Sequence, residues 1–270
     1  MIVRMSTPGI ARPAHWGQAL ARWWRSGWSI LMLGATLAVL AMTPSTWQAA
    51  GRRAVAAEVW RSSAPLVLWF GVLSALISLV IMRIVLVTAQ SYGLSQYALE
   101  MMVRVLVLEL IPLTAALFVA LRVSVPAAVE LAAQRVRSPS GGQPVGSEDL
   151  LRALVLPRAL AAAFATLLLA TLSGVVCLVL AYLLVHGFSP WGFERYTRLV
   201  GQVFSPAVSL IFALKTAAMA LAVAVVALGS ALHDDAVDGQ VAASLELQGL
   251  VRMFLAILVI EGVSLVGNYY

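Results

Sequence analysis

Charge is the scarcest ingredient of this chain. Only 11% of its 270 residues are Asp, Glu, Lys or Arg, against 61% hydrophobic. A soluble domain carries about a quarter charged residues, so a water-exposed globule is excluded. Cysteine is nearly absent. Cys177 stands alone inside an apolar run, so no intrachain disulfide can form. His15, His186 and His233 lie far apart without ligand-like spacing, which argues against a metal site. Catalytic motifs are missing too. There is no P-loop ending in Gly-Lys-Ser/Thr, no His-Glu-x-x-His and no Gly-x-Ser-x-Gly. No catalytic group is therefore assigned, and nucleotide chemistry falls to a partner. The net charge of +6 does not signal nucleic acid, because no soluble segment combines a basic patch with interleaved aromatics. The start "MIVRMSTPGIARPAHW" lacks the layout of a signal peptide.

What the chain does have is apolar blocks of roughly 20 residues, long enough to cross a bilayer as helices. Backbone polar groups in lipid need internal partners, so a span is a helix or part of a closed barrel. Barrel strands alternate apolar and polar residues. Runs such as "LIFALKTAAMALAVAVVALGSAL" do not. The predicted fold is an all-α membrane protein: an N-terminal interfacial amphipathic helix plus five transmembrane helices. The spans are expected near 64–90, 98–136, 157–186, 205–232 and 250–268. Residues 1–63 form a cytoplasmic and interfacial region, and residues 64–270 a five-span domain. Residues 15–28 place Trp16, Leu20, Trp23 and Trp24 on one helical face, suited to the headgroup layer. Residues 29–42 are short for a span and sit between two arginine clusters, so they dip or lie flat. The second span, at ~1.5 Å per residue, is ~58 Å long. It has Pro112 and Pro126 as bend points, since each removes a helical hydrogen bond. Trp191 and Tyr196 are expected at interface depth in the loop between the third and fourth spans.

Several ionisable residues interrupt these runs, among them Arg83, Arg104, Glu109, Arg122, Glu130, Lys215, Arg252 and Glu261. Each costs ~2.5–3.5 kcal/mol at mid-bilayer on insertion scales. Arg83 and Arg252 lie near span ends and can snorkel. Glu109, Arg122, Lys215 and Glu261 are expected to face an interior or a wet cavity, and ion pairing that only fixes packing is the rival reading. Between the second and third spans, "RVRSPSGGQPVGSEDLLRALVLPR" is rich in Arg, Ser, Pro and Gly. Its arginines mark the cytoplasmic side. "SPSGGQPVG" cannot hold a regular helix, whereas Ser147 caps a short one with Glu148 and Asp149 in its first turn.

The block "LELIPLTAALFVALRVSVPAAVELAAQRV" (108–136) resembles the signature of MlaE-type permeases, the membrane subunits of ABC lipid transporters that work with MCE proteins. Glu109, Pro112, Ala116, Leu117, Ala120, Arg122, Glu130, Leu131 and Arg135 fall on that pattern without a gap. Asp149, Leu154, Pro157 and Arg158 match the motif that follows, Lys215 a lysine of the fourth span, and Glu261 an aspartate of the last. Three family glycines are Ile111, Leu121 and Ser124 here, and "SPSGGQPVG" replaces the family's cytoplasmic coupling helix.

The arginine distribution and five crossings put the N-terminus in the cytoplasm and the C-terminus outside. The resemblance implies a homodimer in the bacterial inner membrane, which makes the outer side periplasmic. A cytoplasmic ABC ATPase binding ATP and Mg drives it, an MCE-domain protein sits on the outer side, and phospholipid or a related lipid is carried. The chain itself would hold no cofactor and no metal, and nucleic acid is not a partner. The resemblance assigns Glu109, Arg122, Lys215 and Glu261 to the lipid cavity or its supporting charge. It assigns Arg135, Glu148, Asp149, Arg152 and Arg158 to ATPase coupling, in and beside a cytoplasmic coupling segment at 136–156. Two other readings stay open: a divergent, non-transporting scaffold subunit of such a complex, and an unrelated secondary transporter or membrane enzyme.

Overall fold

A computed structural model describes residues 14–137, 151–233 and 239–269. Among these residues the regular structure is entirely helical. α1 (Ala14–Met42) leads through a 3-10 turn (Pro44–Trp47) into α2 (Ala49–Ser91). A tight turn through Gly93, whose φ of 72° suits glycine, opens α3 (95–137). α4 (151–186), α5 (Phe193–Val203), α6 (Pro206–His233) and α7 (Gly239–Tyr269) follow. Five of them, α2, α3, α4, α6 and α7, hold stretches long and apolar enough to cross a membrane. The chain is a multi-pass membrane protein with a shorter apolar stretch, Gly27–Met42, in its N-terminal helix.

Side-chain pairs fix the helix directions. Ser74 of α2 hydrogen-bonds Ser173 of α4 at 3.1 Å. Arg158 near the start of α4 reaches Glu130 near the end of α3. Gly249 of α7 faces Ser230 near the end of α6. α2, α4 and α7 therefore run one way, α3 and α6 the other. The end carrying Ser91, His186 and Pro206 is called upper, the end where α3 closes at Arg137 and α4 opens at Leu151 lower. Small residues allow the close approach of α4 to its neighbours, since helices in lipid gain from tight packing. Ala162, Ala165, Ala170 and Cys177 are all at most 2% exposed.

Proline shapes α3 and α4. A π-helical segment, Val103–Leu110, directly precedes Ile111 and Pro112. A second, Ala120–Ser124, precedes Val125 and Pro126, and a third, Leu151–Val155, precedes Leu156 and Pro157. Proline gives no N–H and its ring crowds the carbonyl four residues back. A widened turn upstream makes room for that ring. The two bend points expected in the second span are thus sites where the helix widens and continues.

Some expected boundaries shift. α2 starts at Ala49, well ahead of residue 64, because the Ala-rich segment before Pro65 favours helix and spans tolerate an interior proline. Residues 15–28 and 29–42 form one helix, with Gly27 the only weak helix former at their junction. The loop after α4 contains amphipathic α5. Tyr196 is buried against α4 and donates to the Leu178 carbonyl at 2.7 Å. Burial pushes its phenol up to about 12, which keeps it a donor. Trp191 stays exposed.

α1 packs on the lower part of α6 through a glycine seam. A Cβ on Gly229 would sit 3.0 Å from Ile30 Cγ1, and one on Gly34 would sit 3.3 Å from Val225 Cγ1. Leu33, Leu37 and Leu40 enter the core beside this seam. Gly229→Leu is expected to destabilise the protein by about 1–3 kcal/mol through overpacking. Thermal unfolding in detergent micelles checks this; an unchanged midpoint would remove the seam.

Candidate functional site

The site begins at a main-chain oxygen in the widened, π-helical turn before Pro112. It belongs to Leu108, which lies in the π-helical segment, four residues before Pro112, which has no N–H to offer. The Lys215 ammonium of α6 reaches that oxygen at 3.2 Å. It also donates to Glu109 of α3 and, at 2.9 Å, to Glu261 Oε1 of α7. A lysine ammonium has three donors, and here they meet three acceptors from two neighbouring helices. The Asn268 amide of α7 donates to Glu109 Oε1 at 3.3 Å and closes the cluster.

The cluster is deeply placed. The Lys215 side chain is 2% exposed, those of Glu109 and Glu261 13% and 11%. At ~1.5 Å per residue, Glu109 lies ~21 Å below the upper start of α3, Lys215 ~14 Å below Pro206 and Glu261 ~10 Å below Asn268. All three fall in the upper half of the span, within an apolar core about 30 Å thick. Val208, Ile211, Phe212 and Ser264 surround them. A charge at this depth survives only with a partner. The arrangement offers no nucleophile paired with a base. It supplies a fixed polar node that ties α3, α6 and α7 together.

The structure brings together Glu109, Lys215 and Glu261, and separates Arg122 from them. Arg122 sits about 20 Å further down α3, at ~1.5 Å per residue. There it lines a different cleft with Glu58, Arg61, Glu130 and Arg158. The Arg158 side chain is 10% exposed, bonding the Ala127 carbonyl and Glu130, each at 3.2 Å. It clamps α4 to α3 from inside the bundle. Arg152 lies in the π-helical turn that opens α4. Glu148, Asp149 and the segment 138–146 lie outside the described residues, as does the side chain of Arg135.

Sequence reasoning missed Asn268 and the Leu108 carbonyl. One signal was available: Lys215 is the only lysine and Asn268 the only asparagine in the chain. Both polar singletons end in the same cluster. Lys215→Met strands two buried carboxylates and is expected to cost about 3–5 kcal/mol. Asn268→Ala, which removes one hydrogen bond to a charged group, is expected to cost about 1.5–3 kcal/mol. Denaturant titration in micelles checks both; equal midpoints for Lys215→Met and wild type would contradict the cluster.

A scan of the chain against protein families matches the family described as "Permease MlaE" over residues 55–266. A search of curated proteins finds no match. The matched stretch contains Glu109, Lys215 and Glu261, runs from the first turns of α2 into the last turn of α7, and takes in all five candidate spans except the outermost residues of the first and the last. The chain belongs to the MlaE permease family, permeases of ABC transporters.

Proposed function

We propose that the chain is the membrane-embedded subunit of an ABC transporter that moves phospholipid or a related lipid, and that it works as a homodimer. The observation that carries this reading is the polar node of Lys215, Glu109 and Glu261 in the upper half of otherwise apolar helices, inside the stretch that matches the family. A phospholipid suits such a place: apolar helix faces take the acyl chains and a few fixed polar groups take the head. Glu109, Lys215 and Glu261 hold or support that head.

The lower end is cytoplasmic in this proposal. Arg135, Arg137, Arg152 and Arg158 cluster there in sequence, and short arginine-rich loops stay inside. The N-terminus is then cytoplasmic, the C-terminus periplasmic, and the membrane the bacterial inner membrane. The segment 136–156, with Arg135, Glu148, Asp149 and Arg152, docks a cytoplasmic ABC ATPase, which binds ATP and Mg. Arg158 transmits from that segment through its clamp on Glu130. An MCE-domain protein receives or delivers lipid at the upper end. The driving step requires that the nucleotide-bound partner favour one cavity state over another.

One observation favours a second reading. "SPSGGQPVG" stands where the family carries a coupling helix, so a non-transporting scaffold subunit would need no ATPase contact there. Pull-down of the tagged chain from native membranes, with mass spectrometry of proteins and lipids, tests the proposal. Recovery of an ATPase, an MCE protein and a bound phospholipid supports it. A monomeric chain that recovers neither protein, or transport that follows an ion gradient and ignores ATP, overturns it. Glu148→Lys with Asp149→Lys is expected to lower lipid-stimulated ATP hydrolysis about tenfold or more, through like-charge repulsion at the contact. Unchanged turnover would favour the scaffold reading.

A further inference from the structure

A second polar station lies at the other end of α3. A cleft of ≈ 400 Å³ opens between α2 and the lower half of α3, with Arg158 of α4 at its edge. Pro65, Leu66, Trp69 and Phe118 give it apolar walls, and Arg61, Arg122 and Arg158 give it cations. Two of these guanidiniums already have carboxylates: Arg61 pairs with Glu58 at 2.9 Å and Arg158 with Glu130 at 3.2 Å. Arg122 is exposed, and among the described residues it has no ion-pair or hydrogen-bond partner. The cleft therefore holds one positive charge in excess, on the side chain best shaped for bidentate contact with a phosphate.

Depth says what can reach it. Measured from the upper helix ends at Ser91, Ser95 and His186, at ~1.5 Å per residue, Arg61, Arg122 and Arg158 each lie about 40–45 Å down. A bilayer including its headgroup layers is about 40–45 Å thick. The three arginines therefore lie together on one side of the bundle, at the level of the lower headgroups. Trp60 and Trp69, 76% and 73% exposed, flank them, as tryptophan does where an apolar surface meets headgroups.

We propose that this cleft binds the phosphate of an anionic glycerophospholipid from the lower leaflet, with Arg122 as the residue that recognises it. The phosphate pairs with Arg122, and the first acyl carbons lie along Trp69, Leu66 and Phe118. The site is separate from the Lys215 cluster and about 20 Å from it along α3, at ~1.5 Å per residue. It requires only a membrane-spanning chain, so its failure leaves the transport proposal standing, and failure of that proposal leaves this site intact.

Trp69 gives the test a local reporter. The full chain is placed in phosphatidylcholine nanodiscs with increasing amounts of brominated phosphatidylglycerol. Quenching of Trp69 is read as the difference between the wild type and a Trp69→Phe control. Saturable quenching is expected, with brominated phosphatidylcholine clearly weaker. Loss of one charged hydrogen-bonding partner in Arg122→Gln should raise the half-quenching amount about tenfold. Arg122→Lys, which keeps the charge but loses the bidentate fork, should fall between wild type and Arg122→Gln, a graded response that a folding defect would not give. Millimolar inorganic phosphate should leave the quenching unchanged. Identical curves for wild type and Arg122→Gln would overturn the site, as would equal quenching by both lipids. Arg122→Lys matching Arg122→Gln would mark a structural role, and displacement by inorganic phosphate a soluble ligand; either result also overturns the proposal.

Discussion

The bundle is organised around one ammonium group held away from water. Lys215 ties α6 to α3 through Glu109 and the Leu108 carbonyl, and to α7 through Glu261. Apolar contacts cannot supply such register in lipid, because lipid tails and leucine side chains are alike to a neighbouring helix. A buried charge can: the cost of leaving it unpaired makes one alignment far better than its neighbours. The cluster therefore sets how three of the five spanning helices sit along one another, and the glycine and alanine contacts of α4 and α6 fit around that setting.

Proline makes the cluster possible. Pro112 withholds an N–H, the helix before it widens, and in that widened turn the Leu108 oxygen accepts from Lys215. The same device recurs before Pro126, near Arg122, and before Pro157, next to Arg158. At all three places a charged side chain stands beside a widened turn. A straight α-helix would turn these side chains to other faces, since one extra residue per turn rotates everything beyond it. The prolines thus set side-chain direction along α3 and α4.

Much of the fold was legible because lipid restricts the options. Apolar run length and the absence of alternation lead to five spanning helices, and the span limits of α3, α6 and the end of α4 follow within a few residues. The start of α2 was not legible: its first turns are Ala-rich and amphiphilic enough to read as cytoplasmic flank. Three of the four candidate intramembrane charges meet, and motif and depth both point to them. Arg122 shares their motif but not their place, because helix rise separates residues that a motif lists side by side. Asn268 and the Leu108 carbonyl were invisible to motif reasoning. An amide near a helix end looks like interface, and a free carbonyl follows from proline only once the facing helix is known.

Two polar stations at different depths, joined by one helix, give the bundle a simple layout. The upper one is rigid, closed by mutual ion pairing and shielded by α6 and α7. The lower one is open, has excess positive charge and lies beside Arg158, which clamps α3 to α4. Both depend on α3 keeping its register, and that register depends on Lys215. A double-mutant cycle measures this dependence most directly, combining Lys215→Met with Glu109→Gln and, separately, with Glu261→Gln. The predicted result is a coupling of about 1–3 kcal/mol for both pairs. Additive effects for either pair would show that Lys215 does not bridge the two helices, and would contradict the account.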